Sequence, residues 1–140
     1  MEPPGNLSES KQAIGGWRDE LQNRYRSFAA AIRGLGWLIR SERHFQLHLV
    51  AAVAAILLGL VLGLTLIEWA ILMLTIGLVL VAEAINTAIE YTIDLTIHQV
   101  HPLARIAKDV GAAAVLVGAG ISVLIGCFLF LPKLIALWHR

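Results

Sequence analysis

Charged side chains are scarce in this sequence. Asp, Glu, Lys and Arg make up 15% of the 140 residues, whereas hydrophobic residues make up 58%. A water-soluble domain of this size needs more charge to cover its surface, so the composition predicts a membrane protein. The net charge of +1 gives no reason to expect a nucleic-acid partner.

The sequence has a single cysteine and lacks a signal peptide and a phosphate-binding loop motif. The one cysteine, Cys127, excludes an intrachain disulfide and is expected to be a packing residue. The first 16 residues, MEPPGNLSESKQAIGG, have no apolar core before a cleavage site, so we predict a disordered tail over residues 1–16. The segment GAAAVLVGAG contains no lysine and follows no strand, which excludes a P-loop.

Three long apolar stretches dominate what is present. Residues 44–67 and 110–132 contain no Asp, Glu, Lys or Arg. Each is long enough to cross the ~30 Å hydrocarbon layer, which takes about 20 helical residues. The stretch that starts at Trp69 reaches this length only by including Glu83. We therefore predict an all-α polytopic membrane protein with spans at about 45–65, 67–97 and 103–131.

A helix of another kind is predicted before the first span, at about residues 17–43. Apolar side chains recur there at spacings of three and four, on one stripe: Leu21, Tyr25, Phe28, Ile32, Leu35 and Ile39. Arg26, Arg33 and Arg40 repeat every seven residues on the opposite side. This pattern is typical of a helix in the membrane surface, and a soluble amphipathic helix is the less favoured alternative. Residues 17–140 are then a single membrane domain.

The basic residues predict the topology. Seven of the 11 Lys and Arg residues precede the first span, two lie between the second and third spans, and the turn LGLTLIE has none. The positive-inside rule places the N-terminus and the second connection in the cytoplasm and the C-terminus outside. Lys133 and Arg140 argue weakly against this orientation, and Glu68 is expected to be a solvated residue of the outer turn.

The second span carries an acidic stripe. At 100° per residue, Glu83, Asn86, Glu90 and Asp94 lie within about 80° of one another around the helix. Asp94 is interpreted as a solvated helix end. A carboxylate as deep as Glu83 costs about 2.5–3.5 kcal/mol to insert, and such residues usually serve proton relays, ion sites or catalysis.

Two functions for this stripe remain open from the residues alone. Lys108 and Asp109, which follow Pro102 at the start of the third span, suit phosphate and metal binding together with Glu42. This favours phosphoryl transfer. The alternative is a small transporter or proton relay, but residues 69–80 and 115–130 offer almost no polar groups beyond Thr75 and Ser122 for a path.

The segments AEAINTAIEYTIDL, HPLARIAKDVGAAAVL and AIRGLGWLIRSERHFQLHL resemble the bacterial integral-membrane diacylglycerol kinase family over about residues 24–130. The likeness is greater to the branch that phosphorylates undecaprenol. The resemblance implies a homotrimer in the bacterial inner membrane with cytoplasmic active sites, and transfer of the γ-phosphoryl group of MgATP to the hydroxyl of undecaprenol or diacylglycerol.

The resemblance also implies roles for individual residues. Glu83 corresponds to the catalytic base, and Glu42 and Glu90 correspond to the Mg²⁺ ligands. The implied ATP-binding residues are Glu42, Asn86, Glu90, His101, Lys108 and Asp109. The implied lipid-binding residues are Phe45, His48, Glu83 and Ala112.

Some positions depart from the family pattern or allow another interpretation. Ala30, Ala31 and Ala112 stand where the Gram-negative diacylglycerol kinase has hydroxyl-bearing residues, which weakens diacylglycerol as the substrate. His44 and His48, four residues apart, form a possible zinc pair, but a third ligand is not evident nearby. We expect them to lie at the lipid headgroups instead.

Overall fold

The computed structural model describes residues 7–96 and 101–139. In these ranges the chain forms four helices and no strand: α1 (Leu7–Ser41), α2 (Arg43–Leu62), α3 (Leu66–Thr96) and α4 (Pro102–Trp138). The all-α prediction is therefore confirmed. The chain divides into two compact units, Met1–Ser41 with α1 and Glu42–Arg140 with the other three helices.

Helix α1 begins earlier than the sequence predicts. It starts at Leu7 rather than near residue 17, and residues 1–6 of the predicted tail lie outside the described residues. The polar segment SESKQ contains no proline, and Gly15 and Gly16 each lower helix stability by only about 1 kcal/mol. Polarity and two glycines are thus compatible with a helix. Its other end is at Ser41, and Glu42 separates α1 from α2.

The predicted apolar stripe of α1 is exposed. Leu21, Tyr25, Phe28 and Ile32 each expose between 55% and 74% of their surface. Neighbouring turns are joined along the helix, for example by Ser27 Oγ, which donates to the carbonyl of Asn23 at 3.0 Å. A row of large exposed apolar side chains is typical of a surface that meets a membrane or another protein. The position of α1 on the membrane surface stays a prediction.

Helices α2, α3 and α4 are the three predicted spans. They contain 20, 31 and 37 residues, and their most apolar windows have mean hydropathies of 2.4, 2.1 and 2.6. At 1.5 Å per residue even α2 is about 30 Å long, which matches the hydrocarbon layer. The three-span architecture is therefore confirmed, with boundaries close to those predicted except that α4 continues through Pro132 to Trp138.

A tight turn joins α2 to α3. Gly63 adopts a left-handed conformation with φ of 63°, and Leu64 N–H donates to the carbonyl of Gly59 at 3.2 Å. This is the hydrogen-bond pattern of a Schellman motif, which favours glycine at the left-handed position. Leu64 then folds back onto α2, where a Cβ on Gly59 would lie 2.8 Å from Leu64 Cδ1. The turn therefore favours glycine at position 63, and a side chain at position 59 would displace the end of Leu64.

Glu68, expected to be a solvated residue of the outer turn, is 27% exposed and also makes defined contacts within this turn. Its Oε2 accepts hydrogen bonds from Thr65 N at 2.7 Å and Thr65 Oγ1 at 2.9 Å, as in a helix capping box. Lys133 Nζ of α4 lies 3.0 Å from the same oxygen and also donates to the carbonyl of Gly63 at 3.3 Å. The end of α4 is thereby connected to the α2–α3 turn.

The helices α2–α4 share one buried interior. Beside the turn, Leu64, Leu72 and Leu129 form a cluster of buried side chains. Helix α3 buries one face along its length: Leu72, Thr75, Val79, Glu83, Asn86 and Thr87. Because lipid tails are as apolar as leucine, close packing rather than water exclusion must hold such a face against its neighbours. The polar residues of α3 thus lie on the same face as its apolar core.

Candidate active site

Glu83 is a buried carboxylate within the apolar length of α3. Only 4% of its surface is exposed. One turn away, on the same buried face, Val79 is also buried, and on the other side Asn86 is 9% exposed. Removing an ionisable group from water is costly unless a ligand or proton relay uses it, so the burial of Glu83 indicates a functional group.

Asn86 is held between Glu90 and helix α4. Its Nδ2 donates a hydrogen bond to Glu90 Oε1 at 2.9 Å. Its Oδ1 is buried and has no hydrogen-bond partner among the described residues. A Cβ on Gly111 of α4 would lie 2.5 Å from this oxygen. Gly111 therefore leaves the space that the amide of Asn86 occupies.

Glu42 reaches the same end of α3 from the start of α2. It is the N-cap residue, and its backbone carbonyl accepts from Gln46 N at 3.0 Å, but its side chain makes no capping hydrogen bond. Instead, Tyr91 Oη donates to Glu42 Oε1 at 2.7 Å. Tyr91 directly follows Glu90 in α3, so the bond ties Glu42 to the turn of α3 that carries the other carboxylate predicted to bind the metal.

The two charged residues predicted on α4 differ in their contacts. Lys108 Nζ forms an ion pair with Asp94 Oδ1 of α3, and its side chain is 34% exposed. Asp109 is exposed and lies 4.0 Å from Arg105 Nε on its own helix. Lys108 is thus oriented towards the acidic stripe of α3, and Asp109 is paired away from it. Asp94, which was predicted to be a solvated helix end, is therefore paired with Lys108.

The remaining predicted residues occupy several environments. His101 is the N-cap of α4, and its Nδ1 accepts from Leu103 N at 3.2 Å. Phe45 is only 3% exposed. Ala112 is exposed beside the buried Gly111. The nucleotide-binding role of His101 and the lipid-binding roles of Phe45 and Ala112 therefore stay predictions.

An apolar groove lies among α2, α3 and α4 on the turn side of Glu83. Its volume is about 210 Å³. Its α3 wall runs from Leu72 to Leu80 and includes Val79, which is one turn from Glu83. The polar side chains in the groove are those of His48, Thr75 and Ser122. The hydroxyl of Thr75 is bonded to the carbonyl of Ile71, so the wall remains apolar there.

The sequence of this chain is similar to those of known lipid kinases. The profile of the family described as Prokaryotic diacylglycerol kinase matches residues 29–130. The chain is 48% identical over 117 residues to the undecaprenol kinase of Bacillus subtilis, covering 84% of this chain and 95% of that protein. It belongs to the prokaryotic diacylglycerol kinase family.

Other members are similar over shorter parts. A diacylglycerol kinase of Synechocystis is 42% identical over 112 residues, which are 79% of this chain and 64% of the relative. The diacylglycerol kinase of Escherichia coli K12 is 33% identical over 89 residues, which are 64% of this chain and 73% of the relative. Family membership confirms the resemblance seen in the sequence and shows a multi-pass bacterial membrane protein and a lipid kinase.

The carboxylates predicted to bind metal suit an ion that is also bound by substrate phosphates and water. Across residues 7–96 and 101–139, no group of three or more His, Cys, Asp and Glu side chains is arranged to hold a metal ion. Mg²⁺ in kinase sites is usually bound by one or two carboxylates together with substrate phosphates and water. Glu42 and Glu90 are the two carboxylates predicted for this role, and each has one oxygen fixed by a hydrogen bond. A magnesium ion delivered with ATP fits this set, whereas His44 and His48 have no third ligand among the described residues for zinc.

Three features of this kinase site were missed in the sequence. Tyr91 lies within the acidic segment, yet its side chain is outside the stripe and no motif distinguished it. Asp94 and Lys108 were both noted, but their pairing depends on how α3 packs against α4. Gly111 has no side chain that could mark it, and only the position of Asn86 Oδ1 shows that a methyl group there would displace the amide.

Proposed function

We propose that this chain transfers the γ-phosphoryl group of MgATP to the hydroxyl of a membrane lipid alcohol. The supporting observation is that Glu83, a buried carboxylate, lies on α3 between the residues that line an apolar groove and a set of polar groups. On one side of Glu83 the lining suits a hydrocarbon chain. On the other side, Asn86 and Glu90 offer polar atoms that suit a nucleotide and its metal.

Glu83 acts as the general base in this proposal. The lipid oxygen forms a bond to the γ-phosphorus while its proton passes to the Glu83 carboxylate, and the bond between that phosphorus and the bridging oxygen breaks to release ADP. A base in a buried position reacts with a hydroxyl that also comes from the membrane. Val79, one turn from Glu83, lines the groove, which supports a lipid chain lying there with its hydroxyl directed towards Glu83.

The polar groups around α3 position the phosphates. Phosphoryl transfer depends mainly on orientation and on neutralising charge at the phosphate oxygens. Magnesium bound by Glu42 and Glu90 would supply part of that neutralisation. Lys108 supplies a positive charge from α4, and Asp94 holds it towards the site. Asn86, His101 and Asp109 complete the proposed nucleotide contacts.

The lipid substrate is proposed to place its chain in the groove lined by His48. The Bacillus subtilis relative, which this chain covers over 95% of its length, is an undecaprenol kinase. This likeness favours undecaprenol, and diacylglycerol is the alternative suggested by the other relatives. Both are long-chain lipids with one hydroxyl, so the groove accepts the chemistry of either. Phe45 and Ala112 are the further lipid contacts in this proposal.

The orientation and the assembly are also proposals. The distribution of Lys and Arg supports an N-terminus and an active site in the cytoplasm, and a C-terminus outside. Only 11–22% of the most apolar window of each span is buried within the chain. The spans therefore have large apolar faces for lipid and for neighbouring subunits, and the number of three subunits is taken from the family resemblance.

A transporter or proton relay is less consistent with the packing. A path across the membrane would need polar groups or water beyond the groove, towards the α2–α3 turn. At that end the interior is filled by Leu64, Leu72 and Leu129. The carboxylate beyond this cluster, Glu68, is engaged by Thr65 and Lys133.

Incubation of the purified full chain with γ-labelled ATP and Mg²⁺ tests the proposal. Separate reactions in mixed micelles contain undecaprenol, diacylglycerol or no added lipid. We expect label in a lipid monophosphate, with faster transfer to undecaprenol. Faster transfer to diacylglycerol would reverse the substrate preference and leave the reaction type intact. If neither lipid were labelled and liposomes containing the protein passed protons, the relay would replace the kinase.

A further inference from the structure

Tyr91 connects two parts of the sequence that are far apart. Its phenol Oη donates to Glu42 Oε1 at 2.7 Å, across a separation of 49 residues. Tyr91 is on α3, directly after Glu90, and is 45% exposed. Glu42 precedes α2. The bond therefore joins the beginning of one span to the far end of the next.

The side chain of Glu42 depends on such a partner for its position. Many N-cap residues fix their side chains by accepting a hydrogen bond from the first turn of their own helix. Glu42 makes no such side-chain bond, although its backbone has the extended N-cap conformation. A glutamate has three rotatable side-chain bonds, and ordering them has an entropic cost. The bond from Tyr91 selects the rotamers that direct the carboxylate towards α3.

Tyr91 completes a regular arrangement on α3. Glu90 is held by Asn86, and Lys108 of α4 is held by Asp94. Glu90 and Lys108 are thus each oriented by a polar α3 side chain that is not itself assigned to the metal or the base. Tyr91 does the same for Glu42. Hydrogen bonds of this kind orient metal ligands, and their loss typically weakens metal binding about 10–100-fold.

We propose that Tyr91 is a positioning residue that holds Glu42 beside Glu90, so that both carboxylates meet the Mg²⁺ ion that arrives with ATP. This inference rests on the proposed function, because it takes Glu42 and Glu90 as ligands of that ion. The phenol occupies Oε1 of Glu42 and leaves Oε2 to face the metal. Tyr91 contacts neither the lipid nor the reacting phosphorus in this arrangement.

The substitution Tyr91→Phe tests this role because it removes only the hydroxyl. The next residue provides a matched control: Thr92→Val also removes a hydroxyl from α3, one that bonds to the carbonyl of Ala88 on the same helix. Binding of Mn²⁺ to the protein with a non-hydrolysable ATP analogue, measured by electron paramagnetic resonance, gives a readout independent of turnover. Steady-state kinetics at increasing Mg²⁺ gives a second.

We expect Tyr91→Phe to weaken Mn²⁺ binding and raise the Mg²⁺ concentration for half-maximal rate by about tenfold or more. The rate at saturating Mg²⁺ should stay within about threefold of the unsubstituted protein, since metal excess restores occupancy. Thr92→Val should change neither quantity. In the double variant Glu42→Gln/Tyr91→Phe, the second substitution should add nothing, because the group that the phenol orients is already altered.

Unchanged metal affinity in Tyr91→Phe, or an additive loss in the double variant, would overturn the positioning role while leaving the kinase in place. Failure of the proposed function has a different signature, because the unsubstituted protein would then label no lipid. An unsubstituted protein that labels lipid but binds no Mn²⁺ with the analogue would remove both carboxylates from the metal site, and the role of Tyr91 with them.

Discussion

The carboxylates at the two ends of the α2–α4 bundle differ in their burial and in their hydrogen-bond partners. At the turn end (residues 59–72 and 129–137), Glu68 accepts from Thr65 and pairs with Lys133. At the site end (residues 42–48, 83–94 and 101–112), Glu83 is buried and the side-chain Oδ1 of Asn86 has no partner among the described residues. Both Glu68 and Glu83 are on α3, so the helix itself does not explain the difference.

The comparison separates a structural site from one prepared for a ligand. Buried polar groups in native proteins are nearly always hydrogen-bonded, and a satisfied network stabilises the fold. The turn end follows that rule. At the site end the side chains are held by one another, through Asn86–Glu90 and Tyr91–Glu42, but some acceptor atoms remain available. A site preorganised in this way can bind phosphates and metal without first breaking its own contacts.

The largest expected effect compares the two glutamates directly. Glu83→Gln should lower kcat at least about 100-fold, because a general base commonly contributes 10²–10⁴-fold. Glu68→Gln keeps its hydrogen-bond acceptor and should leave kcat within about twofold. Transfer of label from ATP to lipid measures both, with size-exclusion chromatography to confirm assembly. Equal losses in the two variants would abolish the distinction between the ends.

The ion pair between α3 and α4 should have the next largest effect. Lys108→Met removes a charge proposed to contact phosphate and should lower kcat/KM for ATP about 100-fold. Asp94→Asn leaves the lysine in place but releases it, so a loss of about tenfold is expected. Steady-state kinetics with varied ATP distinguishes the two. A larger loss in Asp94→Asn than in Lys108→Met would show that the aspartate acts by itself.

A smaller effect on activity is expected at Gly111. Gly111→Ala places a methyl group in the space of Asn86 Oδ1, so the amide must turn away from Glu90. The group that must move is the end of the Asn86 side chain and not the backbone, so we expect normal assembly. The displaced amide should lower kcat about tenfold. Gly118→Ala is the control on the same helix, since its Cβ would meet nothing closer than Val79 Cγ2 at 4.0 Å. Wild-type kcat in Gly111→Ala would show that the position of the amide is unimportant.

The smallest effect on activity is expected at the turn end, where stability should change instead. Gly63→Ala forces a residue with a Cβ into the left-handed region and should lower the free energy of unfolding by about 1–2 kcal/mol. Gly63→Asn should cost less, because asparagine tolerates this conformation. Thermal unfolding in micelles and label transfer measure the two properties. If Gly63→Ala lowered activity as much as Gly111→Ala at equal stability, the turn would belong to the catalytic machinery.

Local pattern alone determined the helices and the acidic face of α3, whereas the choice of phosphoryl transfer also needed the family resemblance. Hydropathy over about 20 residues predicted three spans, and the 3.6-residue period placed Glu83, Asn86, Glu90 and Asp94 on one face of α3. Both properties depend on residues close in sequence, which explains why they could be predicted. The same local reasoning misjudged the beginning of α1, because a polar segment with two glycines can still be helical.

The partners of the polar side chains were decided only by the tertiary structure. Glu42 and Tyr91 are 49 residues apart, Glu68 and Lys133 meet across the bundle, and Gly111 is opposite Asn86. Such contacts depend on the rotation and depth of each helix against its neighbours, and helix periodicity does not specify either quantity. The sequence therefore showed which groups could carry a phosphoryl transfer, and the packing of α2, α3 and α4 decided which of them are held together.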